Sequence, residues 1–415
     1  MEKFKSLVDA AVRSRFSDLH IAGDHPLVFR QNGVIKFDKR FIWTPREIDA
    51  LVKSMLNPYK LGLLRNRHSV DFAMSVNRTR IRVNVFNTSR GLSMAVRILS
   101  GRVPALSELN LHGSLKDLCN LKSGLVLICG ATGSGKSTTI AGLIDHINRT
   151  AATHVITLED PIEYRFRSDR SFVEQRELGS HFPTYERGLL DVLREDPDII
   201  VVGELREPEA MRLTLDAAES GHLVIATMHA ANVWECLYRF CNSFPVTAQD
   251  LVRYQLSTVL KAVIAQQLHF FADQGFRIPV LSILLSNSSV CGVIRENKIS
   301  QLESVMQMSR AQGMFTFEQY RTEYLDNQKK FISPSWSTCP NPGSEDEFEY
   351  ESSLVDPGAL ERPKAFSSDA GNDLFQESPG FFSDAGSFQE RAGRHYYYIE
   401  DDESGPLEDV IKKLK

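Results

Sequence analysis

Leu125-Val-Leu-Ile-Cys-Gly130-Ala131-Thr132-Gly133-Ser134-Gly135-Lys136-Ser137-Thr138 decides how this chain is read. An apolar run of strand length enters a loop of the form GxxxxGK[ST], and a helical pattern from Thr138 to Ile147 leaves it. That context is what a P-loop requires. The glycines let backbone N–H groups wrap phosphates, and the helix N-terminus adds partial positive charge. Lys136 would reach the β- and γ-phosphates of a nucleotide and the Ser137 hydroxyl would ligate Mg²⁺. Residues 130–138 are therefore the expected nucleotide-binding segment.

Three further segments follow. Thr157-Leu-Glu159-Asp160-Pro-Ile-Glu163 comes directly after an apolar run at residues 154–158 and sets three carboxylates where strand ends line a binding crevice. They could orient Mg²⁺ or polarise a water; the plainer alternative is a solvated acidic turn. Asp196-Pro-Asp-Ile-Ile-Val-Val-Gly203-Glu204 carries four apolar residues to a glycine and a carboxylate, as a Walker B strand does, with Glu204 suited to activating a water. Gly221-His222-Leu-Val-Ile-Ala-Thr227-Met-His229 brackets one strand with two histidines. No cysteine or carboxylate stands at ligand spacing, so a phosphate-sensing or subunit-contact role fits better than a metal pair; ordinary core or surface histidines are the alternative.

Working outward, four short apolar runs (125–129, 154–158, 199–202, 223–226) alternate with helical stretches up to about residue 324. Strands apolar on both faces and separated by helices predict a mainly parallel sheet covered on both sides. Residues 1–99 read differently. A helix over 4–12, a strand at 18–21, a hairpin across Asn32-Gly33 and a helix opened by Thr44 and Pro45 precede a meander at 70–76, 80–86 and 92–98. Arg80, Arg82, Arg90 and Arg97 lie on this meander and suit bidentate phosphate contacts, with a solvated face as the alternative. Residues 100–122 read as a connector with a short helix.

The chain has 415 residues, enough for two or three domains. No run of about 18 apolar residues exists, which excludes a transmembrane helix. The first 16 residues hold no apolar h-region, which argues against a secretory signal. Six cysteines without a CxxC pair argue against a disulfide scaffold or zinc ribbon and for a reducing, cytosolic setting. The net charge of −5 is uneven: residues 341–415 carry 18 acidic and 7 basic side chains, −11, which leaves +6 on the preceding 340. So weak a basic excess, without basic–aromatic interleaving, predicts no direct nucleic-acid contact. After about Ser333, Pro, Gly, Ser, Asp and Glu dominate, and disorder is expected, with a short helix over 406–415. The scattered Phe348, Phe366, Phe375, Phe381, Phe382 and Tyr396 to Tyr398 suggest a docking or self-regulating tail, against an inert solvated extension.

In order, GATGSGKST, TLEDPIE, LREDPDIIVVGE and GHLVIATMH resemble the Walker A, Asp box, Walker B and His box of the secretion and type IV pilus ATPase superfamily. Within it the chain is most similar to the pilus-retraction (twitching-motility) ATPases of the PilT/PilU type. SDLHI at 17–21 resembles the start of their PAS-like domain. The extra N-terminal domain and tetracysteine module of assembly ATPases are missing, and VCGVIRENKISQL at 290–302 resembles the retraction signature AIRxLIRE, with Val-Cys-Gly in place of its start. ATMHAAN and the acidic tail look more PilU-like.

The resemblance spans about residues 1–330 and implies an α/β chain: a PAS-like α+β domain (1–99), a connector (100–122) and a RecA-like P-loop ATPase domain (123–333); the disordered acidic tail (334–415) rests on composition and has no counterpart in it. The resemblance also implies a hexameric motor using ATP and Mg²⁺, cytoplasmic and peripheral at the inner face of the membrane. The motor would act on a pilus through an inner-membrane platform protein, either alone or with a paralogous pilus ATPase. By position Glu204 would polarise the attacking water and Glu163 assist it or organise Mg²⁺. His222 and His229 would couple phosphate state to the ring, and Arg82 and Arg97 would be charge partners of the phosphates. A non-hydrolysing ATP-binding regulator and a DNA-uptake ATPase are the alternatives.

Overall fold

In the computed structural model, residues 1–334 are described except Arg15, Asn32, Gly33, Arg78, Ser100, Gly101 and Lys329. The expectations for the Asn32-Gly33 turn and for the tail beyond residue 334 lie outside the described residues. Six antiparallel strands form the first sheet: β1 (Asp18–Ala22), β2 (His25–Gln31), β3 (Val34–Trp43), β4 (Ser69–Val76), β5 (Thr79–Thr88) and β6 (Gly91–Ile98). Their order is β3-β2-β1-β6-β5-β4, so the predicted meander is present as β4, β5 and β6 in succession.

Alternation along β5 makes this sheet two-sided. Ile81, Val83 and Val85 are fully buried against the helices, while Arg80, Arg82 and Asn84 take the opposite face. Helix α1 (Glu2–Arg13) contributes Phe4, Leu7, Val8 and Ala11, spaced for one helical stripe. Helix α2 (Pro45–Met55) adds Ile48, Leu51 and Val52, and is fixed at its start by a capping box between Thr44 and Glu47. A third helix, α3 (Pro58–Arg67), was not expected. Its start carries a legible signal, because Asn57 caps the Lys60 N–H at 2.8 Å and Pro58 opens the first turn.

The second sheet holds β7 (Gly124–Cys129), β8 (His154–Glu159), β9 (Phe172–Glu177), β10 (Ile199–Val202), β11 (Leu223–Met228), β12 (Leu260–Phe271) and β13 (Phe276–Leu285). The order is β13-β12-β7-β11-β10-β8-β9, parallel throughout except for β13 against β12. Strand β7 shows why its sequence is unbroken apolar. Leu125, Leu127 and Cys129 enter one core and Val126 and Ile128 the other. One core is closed by α5 (Tyr185–Val192), α6 (Pro208–Glu219), α7 (Val233–Asn242), α8 (Val246–Val259) and α9 (Ser288–Arg295), following α4 (Lys136–Thr150), which covers the other face with Tyr320. The four expected strands are β7, β8, β10 and β11. Strands β9, β12 and β13 were not singled out in the sequence. Residues between β6 and β7 run through two 3₁₀ turns, Leu106–Glu108 and Gly113–Asn120. No helix among the described residues is long and apolar enough to cross a membrane.

Candidate active site

Parallel register brings the chemistry to one edge. Leu127 pairs with Ala226, Ala226 with Val202 and Val202 with Leu158, so the loops after β7, β11, β10 and β8 emerge side by side. After β7 the chain turns through Gly130, and Gly135 at φ +91° opens α4. A side chain would be excluded at both: a Cβ on Gly130 would stand 2.4 Å from the Gln266 carbonyl, and one on Gly135 would stand 2.8 Å from the Gln266 amide nitrogen. Gln266, on β12 and almost fully buried, braces the loop from below. Its Nε2 donates to the Ser134 carbonyl at 2.8 Å and its Oε1 accepts from the Thr139 hydroxyl at 2.8 Å.

Lys136 Nζ donates to the carbonyls of Gly130 (2.7 Å) and Ala131 (3.0 Å). Burial lowers its pKa, and the Glu204 and Glu163 carboxylates pull the other way, so all three share one electrostatic neighbourhood. The Ser134 hydroxyl is buried with no partner among the described residues, and Ser137 is exposed at the first turn of α4. Loop glycines that exclude a Cβ, an orphaned hydroxyl and a lysine at a helix N-terminus suit a polyphosphate. Thr138 exchanges a hydrogen bond with the Tyr164 hydroxyl at 3.0 Å, tying α4 to the acidic segment.

That segment divides its carboxylates. Glu159 accepts from Thr157 (2.6 Å) and Gln175 (3.0 Å), and burial pushes its pKa up to about 7. Burial also raises Asp160. Glu163 faces Arg82 of the first sheet at 3.6 Å, while Arg82 also grips Asp71 at 2.6 Å. Glu204 is held by Arg206 at 2.6 Å and by His229 Nε2 at 3.2 Å. Burial alone would raise the Glu204 pKa; the Arg206 hydrogen bond and charge, aided by His229 and Lys136, outweigh it and hold the carboxyl low. The Thr227 hydroxyl donates to the Gly203 carbonyl, locking the turn that presents Glu204.

Lys136, Glu163, Glu204, His229 and Arg82 are thus brought together. Two other candidates make their side-chain contacts elsewhere within one chain. His222 precedes β11, at the opposite end of a six-residue strand and so roughly 20 Å away, with Nδ1 beside the Ala217 carbonyl and Ser220 hydroxyl. Arg97 lies directly across from Arg82 in the sheet but donates to Asp18 at 2.9 Å. Gln266 and Arg206 were missed as site residues. Arg206 follows Glu204 by two residues and was open to notice; nothing in the sequence ties Gln266 to a loop 132 residues earlier.

Known proteins resemble this chain over most of its length. Residues 3–306 match the family described as type II/IV secretion system protein. A protein of Escherichia coli (strain K12) named uncharacterized protein YggR is 39% identical over 319 residues, 76% of this chain and 96% of its own length. A twitching motility protein of Neisseria gonorrhoeae is 41% identical over 274 residues, 66% of this chain and 73% of the relative. Among solved structures, the pilus retraction motor PilT with bound ADP superposes with a TM-score of 0.71 at 36% identity, covering 81% of this chain and 97% of that one. On the sequence match over 3–306 and the site's geometry, the chain belongs to the type II/IV secretion system protein family.

Proposed function

We propose that this protein is an ATP-hydrolysing motor of the pilus-retraction type. The observation that carries the reading is the Glu204 carboxylate, kept ionised by Arg206 and His229 and set in the field of the P-loop lysine. An ionised carboxylate at that edge is what a water-activating base requires. The near relatives named for twitching motility and pilus retraction supply the mechanical output.

Residues 130–138 hold the phosphates, with Lys136 on the β- and γ-phosphates. Ser137 would hold Mg²⁺ together with phosphate oxygens, and the ion would supply charge neutralisation at the phosphates; among the described residues no cluster of three ligating side chains exists, and an ion held largely by phosphates and water would need none. Glu204 takes a proton from the attacking water as its oxygen bonds to the γ-phosphorus, and the bond to the β-phosphate oxygen breaks to leave ADP and phosphate. Glu163, paired with Arg82, steadies the same water or the metal's shell. His229 reports on Glu204. In a hexameric ring, Arg97 and His222 serve across subunit boundaries. Residues 1–99, PAS-like, and 123–333, RecA-like, move against each other about 100–122, and a membrane platform protein at the cytoplasmic face passes that motion to a pilus.

Phosphate release by purified protein tests this. Wild type should turn over ATP, and Glu204→Gln should bind nucleotide as before while hydrolysing at least about 10²-fold more slowly. Nucleotide binding without phosphate release in the wild type would instead make the chain an ATP-binding regulator.

A further inference from the structure

Within its own segment the Glu163 backbone N–H bonds the Glu159 carboxylate, but the residue before it is held from outside the segment. The peptide of Ile162, immediately before it, is gripped on both sides. Its carbonyl accepts from Arg80 Nε and Nη2 at 3.1 and 3.0 Å, and its N–H donates to Glu177 Oε2 at 3.3 Å. Arg80 and Glu177 also face each other at 3.5 Å with side chains only 7% and 8% exposed. Lys60 of α3 adds a second cation, 3.2 Å from Glu177 Oε1. Arg80 and Lys60 come from the first sheet's half of the molecule; Ile162 and Glu177 follow or end strands of the second.

Alternation gives this arrangement a direction. Arg80 and Arg82 are two apart on β5 and so share the face turned toward the second sheet. Arg80 fixes the backbone at Ile162, and Arg82 meets the carboxylate of the next residue, Glu163. Neither contact involves the P-loop. Burial brings the Arg80 pKa down to about 10, which still leaves it charged at neutral pH.

We infer that Arg80 and Glu177 are positioning residues for Glu163: together they clamp the Ile162 peptide, so that Glu163 stands in the site only while the first sheet is seated against the second. The clamp makes turnover depend on the placement of residues 1–99 without touching nucleotide affinity. This rests on the proposed ATPase reading, because the consequence for turnover presupposes that Glu163 serves hydrolysis.

Lys60 still pairs with Glu177 when Arg80 is neutralised, so the test uses Arg80→Gln and, as a second variant that removes both members of the clamp, Arg80→Gln/Glu177→Gln in the full chain. Each variant should lower kcat about tenfold or more with KM for ATP within about threefold. Adding Arg80→Gln to Glu163→Gln should cost nothing further, since both changes disable the same group. Amide hydrogen exchange over residues 160–166 should rise at least about fivefold, with residues 124–130 unchanged. Losses that multiply with Glu163→Gln, a raised KM at unchanged kcat, or unaltered exchange over 160–166 would each overturn the clamp. A wild type that releases no phosphate would defeat the ATPase reading alone; the exchange measurement still decides whether Arg80 and Glu177 hold the Ile162 peptide.

Discussion

The P-loop is braced from within its own sheet, by a buried glutamine on β12 that bonds the Ser134 carbonyl and the Thr139 hydroxyl. The Glu163 turn opposite is braced from the other half of the molecule, by Arg80 and Arg82 of the first sheet, with Lys60 of α3 holding Glu177. The first brace is neutral and moves only if the core moves. The second is ionic and is lost if residues 1–99 shift by a few ångströms, since charge-assisted hydrogen bonds weaken steeply with distance and angle. On the proposed reading, a site built in this way keeps its grip on phosphate constant while its hydrolytic half follows the other sheet.

The largest effect should come from Lys136→Ala, which removes the phosphate cation from the constant half. Turnover should vanish and ATP affinity fall, as read by nucleotide titration and phosphate release; full activity would remove the P-loop from the mechanism. Gln266→Leu attacks the brace instead of the cation. It leaves a buried carbonyl and a buried hydroxyl without partners, so stability should fall by about 1–3 kcal/mol in a urea titration. Nucleotide affinity should drop with kcat at saturating ATP little changed, the reverse of the split expected for Arg80→Gln. Equal splits in the two variants would break the comparison.

Glu159 gives a smaller, pH-dependent effect. Burial raises its pKa from 4.5 to about 7, so between these values the folded protein holds a proton that the unfolded chain has released. Stability from this group is complete below pH 4.5 and is lost as the pH rises to about 7. Urea midpoints for Glu159→Gln should therefore fall less than wild-type midpoints between pH 5 and pH 7.5. The smallest effect belongs to Arg97→Ala. Its bond to Asp18 is mostly exposed, and such pairs contribute ~0–1 kcal/mol, so Tm should move by no more than about 2 °C. A loss of activity confined to assembled protein would identify Arg97 as a partner across a subunit boundary.

Legibility in the sequence follows the same division. Strand β7, the loop and α4 are contiguous, and their spacing alone carries the chemistry. The segments that carry Glu204 and Glu163 were equally readable, because each carboxylate follows its own apolar strand. What could not be read is pairing at a distance. Arg80 and Arg82 look alike in the sequence; only the fold shows that one meets a carbonyl 82 residues away and the other a carboxylate. His222 and His229 likewise bracket one strand symmetrically, yet a parallel sheet gathers its site at one end, and His229 alone reaches Glu204. Strands β12 and β13 were hidden for another reason: they are buried on both faces over much of their length, so period-two alternation is absent. The Asn57-Pro58 start of α3, by contrast, was there to be used.

The brace under the P-loop also sets an order on biosynthesis. Ser134 leaves the ribosome 132 residues before Gln266 does. At about 5–20 residues per second the interval is roughly 7–26 s. Through that time the glycine loop, already synthesised with its lysine and its helix, lacks the strand that completes its floor. The proposed nucleotide cradle is therefore completed only after residues 157–163, both histidines and the Glu204 turn have emerged.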